Sequence, residues 1–347
     1  MTTMRAARFH HPNEPLRMEE VPIPGPGPGE VLVEVKACGI CGSDVHILKG
    51  ETLPGKTPII LGHEGAGVIS KVGEGVKKWK PGDRVVIDCV TTCGSCEMCL
   101  SGKDAICINR RLVGIHLDGA LAQYVKVNCR NIISLPDEIE FAQGCIATDA
   151  VATPYHALKT RGKLQVGESL AVFGVGGLGY HAIKLARLMG ASPIVAIDIS
   201  QKALDRAFEA GADHAIQAEL EEPPQAIRKV VGALGVDIAV ECVGRQQTVR
   251  WAAESIKPPG RVTVIGLGPE LVQVMALTEF VRGEVTLLGC SAFGIQEIET
   301  ILNLARTGRL DLGSSITRVI PLNEVNVALR ELADEPGNVI RSVVTSF

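Results

Sequence analysis

The sequence predicts an α/β protein: a doubly wound parallel sheet covered by helices, joined to a second, mainly β domain. Three observations point there. Residues 168–198 run as an apolar strand, Ser169-Leu170-Ala171-Val172-Phe173, then a glycine turn, Gly174-Val175-Gly176-Gly177-Leu178-Gly179, then a helical pattern and a second apolar run, Ile194-Val195-Ala196-Ile197, closed by Asp198. From about residue 165 short apolar runs alternate with helical periods, which is how a parallel sheet with both faces covered reads. The first 145 residues instead carry strand-like runs cut by glycine and proline.

In chain order, residues 1–36 read as short strands with turns, Val31, Val33 and Val35 alternating with Leu32 and Glu34. The preceding loop, Pro22-Ile23-Pro24-Gly25-Pro26-Gly27-Pro28-Gly29, has too many prolines for helix or central strand. Further strands are expected at 64–72, 84–88 and 121–127, then six near 169–173, 194–198, 214–216, 237–241, 261–265 and 285–288, with helices between the first five. A helix over Gln296 to Thr307 and a strand near Ile340 to Thr345 follow. With 347 residues and about 100 to 200 per domain, two domains are expected. They are 1–150 with 290–347, and 151–289.

A formal charge of −4 leaves no basic field for nucleic acid or an anionic membrane. No apolar run is long enough to span a bilayer and the start, Met1-Thr2-Thr3-Met4-Arg5, lacks a signal core, so a cytoplasmic protein is expected. Eleven cysteines in that compartment read as metal ligands and buried thiols, not disulfides.

The glycine turn has the parts dinucleotide binding requires. Gly174 makes the tight turn, Gly176 lets backbone approach a pyrophosphate, and Gly179 packs helix on strand, while the helix start at Gly177 and Leu178 meets negative charge. Asp198, 19 residues beyond Gly179, stands where a carboxylate would take a ribose 2′-hydroxyl. A second motif, Cys93-x2-Cys96-x2-Cys99-x7-Cys107, places four thiols within 15 residues on the lobe 89–110, enough to close a tetrahedral Zn²⁺ shell with no open position. A zinc module for nucleic acid is disfavoured, since Glu97 and Asp104 lie inside the loop and few basic residues flank it.

A third, dispersed set comprises Cys41-Gly42-Ser43-Asp44-Val45-His46, Gly62-His63-Glu64 and Thr148-Asp149-Ala150. Together with the four-cysteine lobe, the unit from Gly174 to Asp198 and the ending Ile340-Arg341-Ser342-Val343, these stretches resemble the medium-chain zinc-dependent alcohol dehydrogenase family over essentially the whole chain. The resemblance implies a Rossmann dinucleotide domain and a GroES-like catalytic domain. It implies two Zn²⁺ per chain, one structural and one catalytic, and NAD as cofactor. Cys41 and His63 match the catalytic zinc ligands, Glu64 the catalytic carboxylate that sits beside the metal and ligates it transiently, and Asp149 the third ligand of the branch that uses Asp where many members have Cys. Cys145, four residues earlier, is the rival and matches a non-ligand. Asp44 matches a residue that holds the His ligand, and Ser43 and His46 a proton relay. Thr153 matches a position near the nicotinamide, and Arg341 a basic residue on the pyrophosphate.

The remaining thiols Cys38, Cys129, Cys242 and Cys290 are expected to be buried, and Cys89 matches a substrate-pocket position that is often larger. The expected activity is hydride transfer between a primary or secondary alcohol and NAD⁺ by a homodimer or homotetramer, with residues 285–288 as a pairing edge. A polyol or larger hydroxy-compound dehydrogenase is the alternative on the same scaffold. A zinc- and dinucleotide-binding sensor and a zinc-free quinone reductase are disfavoured by the complete ligand sets.

Overall fold

Leu32, Val33, Val35, Ala37 and Cys38 are all buried, because the strand Glu30–Ile40 that carries them is lined by partners on both edges. It pairs antiparallel with Glu64–Val72, with Tyr124–Asn128 and with Arg341–Ser346. Around it the sheet runs in the order Ile132–Ser134, Arg84–Ile87, Glu64–Val72, Glu30–Ile40, Arg341–Ser346 and Ile316–Pro321, seven-stranded with Tyr124–Asn128. The computed structural model describes residues 2–335 and 337–347. They divide into two compact units, one of residues 2–152, 292–335 and 341–347, the other of 153–291 and 337–340. The short piece 337–340 was expected with the first unit. It lies with the second because Lys202 Nζ reaches Asn338 Oδ1 at 3.0 Å and Arg206 donates to the carbonyls of Gly337 and Asn338.

Among the elements of the first unit that were not anticipated are the strand Ile316–Pro321 and the helices Gly42–Leu48, Phe141–Ile146 and Val325–Asp334. From the sheet a lobe extends whose neck is the two-stranded ribbon Val90–Thr91 with Arg111–Leu112. Cys38 and Cys290 are buried as expected, whereas Cys129 and Cys242 are only half-buried.

The second unit is a six-stranded, all-parallel sheet. Its strands are Leu170–Phe173, Ile194–Asp198, His214–Gln217, Val236–Glu241, Ile256–Val264 and Thr286–Gly289, in spatial order third, second, first, fourth, fifth, sixth. Both faces are covered, so Ala171, Phe173, Val195, Ile197, Ala239 and Val262 are buried with no polar alternation, as a central parallel strand requires. The order reverses between the first and fourth strands, where open sheets of this kind leave a ligand crevice beyond the carboxyl ends. The fifth strand begins five residues before its expected start, because Pro258 and Pro259 sit at an irregular register between Val236 and Ile238. Among the described residues no helix is long and apolar enough to cross a membrane.

Candidate active site

Cys41 follows the central strand of the first unit and caps the short helix Gly42–Leu48, its amide donating to Asp44 Oδ2 at 3.1 Å. His63 lies in the turn before Glu64–Val72, after Gly62 at φ +90°, where a Cβ would fall 2.8 Å from Cys38 Sγ. Asp149 sits on Ala147–Val151, a turn with π-helical bonding between the helices Phe141–Ile146 and Ala152–Tyr155. Such a turn carries one residue more than an α-turn and re-aims its side chains. Cys145, one turn earlier, is buried with its Sγ on the Ala142 carbonyl at 3.2 Å, outside the cluster.

These elements bring ligand atoms of Cys41, His63, Glu64 and Asp149 within 4.8 Å of one another. Asp149 Oδ2 is 3.5 Å from Cys41 Sγ and 3.5 Å from His63 Nε2. Tetrahedral Zn²⁺ with ordinary bond lengths would set those separations at about 3.6 and about 3.4 Å. The donors therefore fit that ion, and the charge agrees, because one thiolate, one carboxylate and a neutral imidazole sum to the same formal charge as two thiolates and an imidazole. The polar bookkeeping agrees too. His63 Nδ1 and Asp44 Oδ1 face each other at 3.6 Å, and neither they nor the two oxygens of fully buried Glu64 make a hydrogen bond among the described residues. Buried donors and acceptors left so need a compensating charge. Burial lowers the affinity of His63 for its proton, yet the charge of Asp44 and the nearby Asp149 carboxylate outweigh that and hold it well above the usual imidazole value. Burial likewise pushes the Glu64 carboxyl up, against the pull of Arg341.

Arg341, expected on a pyrophosphate, has its guanidinium buried in the first unit, where Nη1 donates to the Ile40 carbonyl at 3.1 Å and lies 3.3 Å from Glu64 Oε1. Ser43 Oγ is 3.9 Å from Cys41 Sγ. One turn further on, His46 is about a third exposed and its Nδ1 bonds the Glu51 carboxylate.

In the lobe, the sulfur pairs Cys93 with Cys107, Cys96 with Cys99, Cys96 with Cys107 and Cys93 with Cys99 stand at 3.5, 3.5, 3.8 and 4.0 Å. A ZnS₄ tetrahedron demands about 3.8 Å. Amides of Ser95 and Cys96 pull the Cys93 thiol down to about 5, while burial and its sulfur neighbours push Cys99 up to about 12. A divalent cation held there would let all four be thiolates together.

In the second unit the glycine turn has the geometry its spacing suggests. Gly174 has φ +85°, and a Cβ on Gly179 would lie 1.8 Å from the Gly174 carbonyl oxygen, so only glycine lets the helix Gly177–Leu188 approach. Beside Gly176 a Cβ would meet nothing within 4 Å, which leaves the backbone open to a phosphate. Asp198 ends the second strand with Oδ2 accepting from the Val175 amide at 2.6 Å and Oδ1 from Ser200 at 2.8 Å, so the acid stands against the turn. Thr153 opens this unit and is largely buried.

Two buried acids escaped the sequence reading. Glu241, at the carboxyl end of the fourth strand, accepts at Oε1 from the Val243 amide, the Gly244 amide and the Thr248 hydroxyl, each at 2.8 Å. Each closes a short apolar run, Glu241 after Ile238-Ala239-Val240 and Asp88 after Val85-Val86-Ile87, and an acid in that place was the available signal, as it was at Asp198.

Comparison with known proteins follows the same division. Residues 27–137 match the alcohol dehydrogenase GroES-like domain and residues 177–307 the zinc-binding dehydrogenase domain. The chain is 34% identical over 325 residues to an alcohol dehydrogenase of Geobacillus stearothermophilus, covering 93% of this chain and 94% of that one. It is 35% identical over 286 residues to human sorbitol dehydrogenase, covering 81% and 79%. A zinc-binding dehydrogenase of Sinorhizobium meliloti 1021, solved with NADP, superposes with a TM-score of 0.92 at 30% identity, covering 99% of this chain and all of that one. With both halves matched and relatives similar over nearly its full length, the chain belongs to the medium-chain zinc-dependent alcohol dehydrogenase family.

Proposed function

We propose that the protein oxidises a primary or secondary alcohol to the aldehyde or ketone with NAD⁺ as acceptor, through a catalytic zinc held by Cys41, His63 and Asp149. The observation that carries this is the pair of 3.5 Å separations joining three donors from separate elements, with three protein ligands leaving the fourth position open. Zinc so held supplies Lewis acidity toward a hydroxyl or carbonyl oxygen, and the dinucleotide supplies the hydride acceptor. Asp44 fixes the orientation and tautomer of His63, as a carboxylate behind a ligating imidazole does. Ser43 and His46 share one helix with Cys41 at its cap, and a hydroxyl followed by a partly exposed imidazole can carry the released proton to solvent. His46→Gln is expected to slow turnover chiefly at the acid end of the pH profile with zinc content intact. An unchanged profile removes His46 from the relay.

Asp198 supports NAD over NADP, because its carboxylate accepts from ribose hydroxyls and repels a 2′-phosphate. Gly174, Gly176, Gly177, Leu178 and Gly179 form the pyrophosphate turn, Thr153 borders the nicotinamide, and Cys93, Cys96, Cys99 and Cys107 hold a second, structural zinc. The likeness to a sorbitol dehydrogenase keeps a polyol substrate as the second reading. At the free edge of the six-stranded sheet, Thr286–Gly289 exposes Leu287, and Leu271, Leu277 and Val281 are exposed nearby in sequence, which supports a homodimer or homotetramer paired there. Eleven cysteines with no disulfide among the described residues fit a reducing compartment, the cytoplasm. The deciding experiment combines zinc quantification with simple alcohols and sugar alcohols assayed by NADH absorbance. Two zincs per chain and turnover of one class are expected. One zinc, or no alcohol-dependent NADH from zinc-replete protein, refutes the reading.

A further inference from the structure

Glu64 and Arg341 meet above a residue with no side chain. The register sets Gly39 opposite Glu64 on one neighbouring strand and opposite Val343 on the other. Arg341 Nη1 reaches back to the Ile40 carbonyl and to Glu64 Oε1, so the ion pair bridges the two outer strands across the middle one. The Glu64 carboxylate lies over Gly39 itself. A Cβ built on Gly39 would stand 2.0 Å from Glu64 Oε2, 3.0 Å from Cδ and 3.1 Å from Cβ.

Real Cβ contacts keep at least 3.0 Å, so any side chain at position 39 displaces the carboxylate oxygen by about 1 Å. Glu64 is fully buried and neither of its oxygens is fixed by a hydrogen bond among the described residues, so nothing of that kind there holds it against such a push. Two polar neighbours flank it. One is Arg341. The other is the set of Cys41, His63 and Asp149, whose donor atoms lie within 4.8 Å of a Glu64 oxygen. Pressed off the guanidinium, a buried carboxylate gains most by moving toward a cation on the other side.

We propose that Gly39 is a positioning residue, whose missing side chain lets Glu64 rest against Arg341 and so keeps the carboxylate from closing the fourth coordination position. This rests on the reading that Cys41, His63 and Asp149 hold zinc. It adds a requirement that ligand spacing does not contain: the residue two places before the first ligand must be glycine so that an acid can be parked over it.

The test uses full-length, zinc-loaded protein without substrate and follows zinc transfer to the chelator 4-(2-pyridylazo)resorcinol. The catalytic phase is the one absent from Cys41→Ala protein. In Gly39→Ala that phase is expected to slow by about tenfold, the size of effect that residues beside a ligand exert on metal affinity. The cobalt-substituted variant is expected to show altered ligand-field bands. Gly39→Ala/Glu64→Ala is expected to release zinc at the rate of Glu64→Ala alone. A folded Gly39→Ala protein with wild-type or faster release, or a double variant no different from Gly39→Ala, overturns the proposal. If Gly39→Ala does not fold, recovery of folded protein in the double variant supports the collision, and failure of both overturns it. Wild-type protein that binds zinc only at the cysteine lobe refutes the ligand reading instead. Two zincs with release unchanged by Gly39→Ala refutes the role of Gly39 alone.

Discussion

Replacing Asp88 with Asn should stabilise the protein at alkaline but not at acid pH. Asp88 is 4% exposed, accepts the Val90 amide at Oδ1 at 2.8 Å, and exchanges main-chain and side-chain bonds with Asn131, whose Nδ2 holds both the Asp88 and Val90 carbonyls. Burial pushes its carboxyl from the ordinary 3.8 up to about 7, with repulsion from Asp104 adding to it and the Val90 amide opposing. Between those two values the folded chain holds a proton that the unfolded chain has released, so raising the pH favours unfolding. The penalty is absent below about pH 4, grows through the window and is constant above about pH 7, where it reaches roughly 4 kcal/mol at 1.36 kcal/mol per pH unit. Asn keeps an oxygen for the Val90 amide and never ionises. Urea unfolding of zinc-loaded wild type and Asp88→Asn at pH 5.5 and pH 8 should show the stability difference growing by up to about 2 kcal/mol in favour of Asn. A pH-independent difference, or a variant less stable at pH 8, would refute the account.

Three further outcomes are expected. Gly179→Ala forces a Cβ 1.8 Å from the Gly174 oxygen, so the helix start must retreat by about 1 Å, and dinucleotide affinity should fall on the order of a hundredfold. Fluorescence titration within threefold of wild type would contradict that. Asp198→Ser removes the charge facing a 2′-phosphate and should raise the NADP to NAD ratio of kcat/KM by about tenfold or more, and an unmoved ratio would take Asp198 out of cofactor choice. Cys99→Ser should cost one zinc per chain and lower Tm by several degrees, roughly the 2 to 4 °C per kcal/mol of a larger domain or more. Retention of two zincs would remove the lobe as a metal site.

The second unit was legible almost strand by strand, because a buried parallel strand shows itself as a short apolar run between glycine turns and helices. Only the fifth strand was mis-started, at prolines that local preference excludes and the register irregularity tolerates. The first unit was less legible. Its edge strand Ile316–Pro321 is paired on one side only, with Arg341–Ser346, and buries little beyond Ile320, so it lacks the apolar run that marks a central strand. The ligand set needed a resemblance, since Cys41 and Asp149 are 108 residues apart and no local pattern links them. The π-helical turn that re-aims Asp149 depends on hydrogen bonds that no residue spacing encodes. The pairing of Arg341 with Glu64 was invisible for a similar reason: it is created by strand register across Gly39.

The two thiolate-bearing sites differ in how much chain must be closed to make them. The lobe's outermost sulfurs are 14 residues apart, whereas Cys41 and Asp149 enclose 108. Ring-closure entropy alone separates the two by about 2 kcal/mol, before the cost of assembling the sheet that aims His63. A nascent chain can therefore capture its first ion soon after Cys107 leaves the ribosome. With Asp149 as its third ligand, the second would wait for that residue and for the strands that aim His63, so the two ions would be taken up in sequence.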